Sequence, residues 1–346
     1  MARGAGALAS ALAALLAAAT ALAQSEIALT DQSGRSLRLE GPAQRVVTIP
    51  MPASPLWVAV DQSATRLVGH HRQSRAAVAS GSLGDLFPRL FDVPTDVVGE
   101  GFQPNVEEIL RVGPDLVFQW GDRGDALIAP LEAVGLTVAA LRYGGEAEVR
   151  AWMRLMAAAA GKPARADALI DWRERIIARL APLGALPDAD KPRVLYLLRA
   201  LEGFQAAGSG TFNDYSIRLA GGRNAAASLD GFRPVNAEQI LAWAPDVVLL
   251  NSFEPGLSAA AITDHPLLGL TPAARQDRVF AMPIGGYRWD PPSQESPLAW
   301  LWLAQRLHPD HPAAQADLAA EIGDAYALLY GQASTPAMIA QVLGPR

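Results

Sequence analysis

The chain has 346 residues, half of them apolar, and a formal net charge of −6. That length accommodates two domains with separate cores, and the negative balance excludes a broad nucleic-acid-binding surface. The absence of cysteine excludes disulfides, thiol catalysis and thiolate metal sites.

Residues 1–23 place Arg3 before a long Ala/Leu run and end in Ala21-Leu22-Ala23. This pattern predicts a cleaved signal peptide and export to a periplasm. A lipid-anchored form needs a cysteine after the cut, so the mature protein is expected not to be a lipoprotein. No later apolar run is long enough to span a bilayer. Residues 24–145 read as an N-terminal α/β lobe. A hairpin is expected with strands near 26–31 and 35–40, then a buried strand at 45–49. Strands at 66–69, 97–99, 115–119 and 137–141 alternate with helices at 56–60, 105–112 and 126–134. Residues 146–182 have helix-forming composition and apolar positions at helical spacing, which predicts one long linking helix, broken or kinked at Gly161 and Pro163. Residues 183–346 read as a C-terminal α/β lobe. Its strands are expected at 193–198, 246–251 and 278–282, and its helices near 214, at 236–243, at 298–307 and at 317–330.

One sentence is written twice. Residues 105–118, NVEEILRVGPDLVF, and 236–249, NAEQILAWAPDVVL, agree at seven of fourteen positions. Each copy opens on an Asn N-cap, Asn105 or Asn236, with Glu108 or Gln239 three residues on as a capping-box partner. Pro114 and Pro245 stop the helix, and Pro-Asp leads into an apolar strand. Glu107 and Glu238 are left over, since the cap does not need them. They can complement the helix dipole. Symmetrically placed on two lobes, they can also grip two basic sites on a two-fold symmetric partner.

With these motifs the chain resembles the periplasmic substrate-binding proteins of ABC importers for ferric siderophores, cobalamin and haem. The resemblance covers almost all of the mature chain. It includes ALTDQSGRSLRLEGPAQRVVTI near the start, both Asn-x-Glu…Pro-Asp copies, GSGTFNDYSIRLAGGRN at 208–224 and DRVFAMP at 277–283. It implies two Rossmann-like lobes, each with a central mixed or parallel sheet, joined by one long helix, with a ligand cleft between them. It also implies that Glu107 and Glu238 dock onto an inner-membrane ABC permease dimer. The expected protein is a monomeric receptor with no intrinsic cofactor and no enzymatic activity. Its expected ligand is a small metal chelate, foremost an iron(III) siderophore, with cobalamin, haem or another metal complex as alternatives.

Ligands of open α/β sheets bind outside the carboxyl ends of the strands. The loops there carry aromatics interleaved with arginines, which suits a bulky anionic chelate. The candidate ligand-binding residues are Trp57, Arg72, Trp120, Arg199, Phe212, Arg233, Tyr287, Arg288 and Trp289. Trp300 and Trp302 fall in a helical apolar run and are expected in the core. Tyr287 or His71 is a candidate direct ligand for ferric iron. The five histidines and the carboxylates do not form the converging set that a bare-zinc binder needs. An exported α/β hydrolase needs a Gly-x-Ser-x-Gly nucleophile turn, and GSLGD at 81–85 and GSGTF at 208–212 match it only in part. A sensing role remains an alternative to transport.

Overall fold

A computed structural model describes residues 26–344, so the signal peptide expected at 1–23 lies outside the described residues. The first hairpin pairs β1 (Ile27–Thr30) with β2 (Ser36–Leu39). Its turn needs the left-handed Gly34 (φ 78°). The Asp31 carboxylate accepts from Ser33 N at 2.9 Å and, across to the first sheet, from Ala140 N at 3.0 Å.

The first sheet is wholly parallel, in the order β4 (Leu67–His70), β3 (Val46–Thr48), β5 (Leu116–Trp120), β6 (Val138–Leu141). Helices α1 (Ala53–Asp61), α2 (Arg72–Ser80) and α3 (Val106–Val112) connect its strands. All nine residues of α1 are buried, which makes it a core helix rather than an amphipathic surface one. The strand expected at 97–99 is only an isolated bridge between Val98 and Pro104.

The linking segment departs from expectation. It forms two helices, α4 (Glu146–Ala159) and α5 (Pro163–Gly184). Gly161 turns the chain at φ 71°, so the break reverses direction instead of kinking one rod. Arg150 therefore meets Glu174, and Arg173 meets Glu146, across an antiparallel pair. Helix α5 carries the chain from the first lobe to the second; its 22 residues span about 33 Å. At its start Lys162 pairs with Asp61 and Arg165 donates to Ala59 O. Near its end Arg179 pairs with Glu321.

The second sheet runs β10 (Phe232–Val235), β8 (Phe204–Ala207), β7 (Arg193–Arg199), β11 (Val247–Leu250), β12 (Val279–Ala281), with β9 (Arg223–Asn224) also on β7. Strands β7, β9, β11 and β12 run parallel; β8 is antiparallel to β7, and β10 is antiparallel to β8. Helices α6 (Phe212–Leu219), α7 (Ala237–Trp243) and α8 (Ser296–Leu307) belong to this lobe. Helices α9 (Leu318–Tyr330) and α10 (Pro336–Leu343) follow, and α9 returns to pack on α1 of the first lobe.

The repeated sentence marks equivalent elements. Asn105 and Asn236 cap α3 and α7, accepting from Glu108 N at 3.4 Å and Gln239 N at 2.8 Å. The reciprocal half of the capping box is not made by Glu108, whose carboxylate pairs with Arg111. Each helix ends on a left-handed residue before its proline, Gly113 (φ 55°) and Ala244 (φ 45°). The Pro-Asp aspartates then tie neighbouring strands together: Asp115 accepts from Arg45 N at 3.1 Å and Asp246 from Arg193 N at 2.8 Å. Those arginines also reach back to cap the helix, Arg45 to Gly113 O and Arg193 to Trp243 O.

Alternation along the strands sorts the core into layers. Leu116, Phe118 and Trp120 of β5, and Val247 and Leu249 of β11, join one continuous apolar cluster with α1, α4, α5, α8 and α9. Val117 and Val248 face separate clusters on the outer side of each sheet. One shared core thus runs behind both lobes and holds the two sets of strand ends toward each other.

Candidate functional site

The loop after β6 reaches the second lobe at the start of α6 and near the end of the 283–290 segment after β12. Tyr143, just past β6, lies against the Phe212 main chain and near Asp290; burial pushes its hydroxyl up to about 12. Asp290 accepts from Tyr196 Oη at 2.9 Å and from the Ser252 hydroxyl. Its main-chain oxygen accepts from Asn213 Nδ2 at 3.0 Å. Burial raises the Asp290 carboxyl, against the opposing pull of these donors and of Arg288. These buried groups bring the loop after β6 of the first lobe against the second lobe.

Both lobes carry arginines laid on aromatic faces. In the first lobe the Arg123 guanidinium stands 4.4 Å from the Trp120 ring centre and 4.7 Å from that of Phe102. Burial, the largest influence, lowers its pKa against the opposing pull of Asp122. In the second lobe Arg199 and Arg288 each lie 5.3 Å from the Phe253 ring centre. None of the three arginines belongs to an ion pair among the described residues. Cations held on aromatic faces and outside any ion pair suit an incoming anion.

The residues singled out in the sequence divide. Arg199 and Arg288 converge on one ring, and Trp120 is the ring beneath Arg123. Arg72 is exposed as the first residue of α2, next to the cap residue His71. Trp57 is corrected from cleft wall to core: it is fully buried on α1, 6.0 Å from the Phe118 ring. Phe212 and Trp289 also belong to the shared core, and the Tyr287 side chain is buried in the loop that carries Arg288. Arg233 is exposed on β10, the outermost strand of its sheet, outside the arginine clusters. The sequence reading did not single out Phe253 or Tyr143; both follow strand ends, which was the available signal. Arg123, in the loop after β5, was likewise not among the candidates.

His71 Nδ1 accepts from Gln73 N at 3.0 Å, and the ring packs 5.2 Å from Phe102. Burial first and Arg72 second lower its pKa to about 4, so it is a neutral imidazole near neutral pH. The described residues contain no cluster of three or more metal-binding side chains. Of the partial nucleophile motifs, Ser82 pairs its hydroxyl with Tyr326 and Ser209 donates to Leu229 O. A surface groove of about 840 Å³ lies elsewhere, between Trp302, Arg306, Leu318 and Leu343, and includes no strand end.

Glu107 and Glu238 are exposed in the first turns of α3 and α7. Neither forms an ion pair among the described residues. No described helix is long and apolar enough to cross a membrane.

The family described as periplasmic binding protein matches residues 54–284. The molybdate-binding protein MolA of Haemophilus influenzae is 24% identical over 94% of this chain and 97% of its own length. A periplasmic solute-binding protein from Veillonella parvula superposes with a TM-score of 0.82 at 28% identity, covering 92% of this chain and 96% of its own. A periplasmic haem-binding protein from Pseudomonas aeruginosa gives a TM-score of 0.63 at 24% identity, over 78% of this chain and 94% of its own.

Proposed function

The chain belongs to the periplasmic binding protein family, and from that premise we propose that it captures an anionic metal complex between its lobes and delivers it to an ABC permease. Its relatives are solute-binding proteins, so the chain is a binding protein and not an enzyme. The observation that carries the ligand reading is the set Arg123, Arg199 and Arg288, outside any ion pair among the described residues and laid on Phe102, Trp120 and Phe253. A ferric siderophore supplies phenolate or carboxylate oxygens for the guanidinium forks and flat faces for the rings.

Molybdate is the second reading. It is favoured by the burial of Trp57, Phe212 and Trp289, which leaves arginines with a smaller aromatic platform, and by the ligand named for MolA. Calorimetric titration with a ferric tris-catecholate complex, molybdate and haem separates these readings. Binding that survives replacement of all three arginines by alanine defeats the proposal.

Delivery is assigned to Glu107 and Glu238, one exposed first-turn carboxylate per lobe. Reversing both charges is expected to abolish uptake while ligand affinity stays unchanged; uptake at the normal rate would remove the docking assignment.

A further inference from the structure

Residues Ser293, Gln294, Glu295 and Ser296 are consecutive, polar and at most 1% exposed. A carboxylate buried without a cation is costly unless hydrogen bonds saturate it. Glu295 Oε2 accepts from Gly286 N at 3.1 Å and from Trp289 Nε1 at 2.8 Å. Its Oε1 accepts from the Tyr330 hydroxyl of α9, which in turn accepts from Gln294 Nε2 at 2.9 Å.

The first two donors lie in the loop that carries Arg288. That loop is a tight hairpin, bridged between Ile284 and Arg288, with Gly285 N donating to Tyr287 O at 2.9 Å. Two glycines let it sit on the carboxylate. A Cβ on Gly286 would stand 2.6 Å from Glu295 Oε1, and one on Gly285 would strike Oε2. The tip also touches the first lobe, where Ser82 N donates to Gly285 O at 2.9 Å. The Ser82 hydroxyl pairs with Tyr326 of α9 at 2.8 Å. Hairpin, α9 and first lobe therefore meet around one buried carboxylate.

We infer that Glu295 is a positioning residue: its carboxylate fixes the 284–288 hairpin, sets where Arg288 stands in the cleft, and holds the hairpin tip against the first lobe. The part concerning Arg288 rests on the cleft being the ligand site.

The test uses the full mature chain. In Glu295→Gln an amide faces donors that need an acceptor. Amide exchange at Gly286 and Ser82 is expected to accelerate at least about tenfold while β5 and β11 are unaffected. Trp289→Phe removes one donor more gently and is expected to accelerate Gly286 in the same direction, which serves if Glu295→Gln does not fold. Exchange unchanged at both amides, or raised equally along the whole chain, overturns the inference.

Affinity for molybdate and for a ferric tris-catecholate complex is then compared among Glu295→Gln, Arg288→Ala and the double variant. A residue acting through Arg288 gives a double variant no weaker than Arg288→Ala; losses that simply add overturn the positioning role. Wild-type affinity for both probes in Arg288→Ala sinks the cleft reading instead, and the exchange data still decide whether Glu295 fixes the hairpin.

Discussion

At the scale of single residues, packing and binding separate cleanly. Trp57 fills the core against Phe118, so Trp57→Ala is expected to cost about 3–5 kcal/mol in denaturant unfolding and to leave ligand affinity within about twofold. Arg199 is exposed and has no ion-pair partner among the described residues, so its alanine variant should show the reverse. Stability holds, while affinity falls at least about tenfold, as for a lost charge-assisted hydrogen bond. Titration and unfolding of the same two variants check both. The sequence showed which loops carry aromatics and arginines. It did not show which side of a loop each aromatic turns to, because that is decided by the neighbour it meets. Trp57 meets Phe118, whereas Phe253 is left between two arginines.

At the scale of elements, the duplicated helix carries its own comparison. Both copies end on a left-handed residue, but one supplies Gly113 and the other Ala244. A Cβ in that conformation costs about 1–2 kcal/mol. Ala244→Gly is therefore expected to stabilise the protein by about 1 kcal/mol, and Gly113→Ala to destabilise it by a similar amount. Urea midpoints at constant slope measure both. Caps, the first hairpin and the strand–helix alternation were legible because each rests on residues within one turn or one pleat of each other. Strands β8 and β10 were not, since GFQAAG and FRPV carry no alternation of their own and extend by pairing, β8 onto β7 and β10 onto β8. Gly161 and Pro163 announced a break, and only the packing of Arg150 on Glu174 made it a reversal.

At the scale of the whole molecule, the lobes are joined through buried charge. Arg173 is fully buried, bidentate to Glu146 at 2.6 and 2.8 Å, and donates to Ser293 O at 2.9 Å. Burial pushes the Glu146 carboxyl up, but Arg173 and Arg150 more than offset it and the net shift is downward. Arg173→Met is expected to cost about 3–5 kcal/mol, and pairing it with Glu146→Leu to cost less, because no charge is then stranded. The pH dependence of unfolding reads two opposed groups. His70 and His71 are lowered from 6.5 to about 4, by burial first and by Arg75 and Arg72 respectively next. Their contribution is present above pH 6.5 and lost as pH falls toward 4. Burial raises Glu295 from 4.5 to about 7 against the opposing pull of Tyr330, Trp289 and the Gly286 and Tyr287 main chain. The folded state there holds a proton that the unfolded state has released, so stability from this group declines as pH rises from 4.5 to 7. Glu295→Gln should therefore gain stability more steeply than wild type between pH 5 and 6.5; parallel curves would contradict this. The sequence by itself determined the two α/β units, their duplicated helices and their class, because periodicity, caps and repeats are written along the chain. Only the tertiary structure decided which arginines lie on aromatic faces outside any ion pair, that α5 carries the chain between the lobes, and that Glu295 lies beneath the hairpin. Those are contacts between residues far apart in sequence, and their energies exist only once the shared core has brought them together.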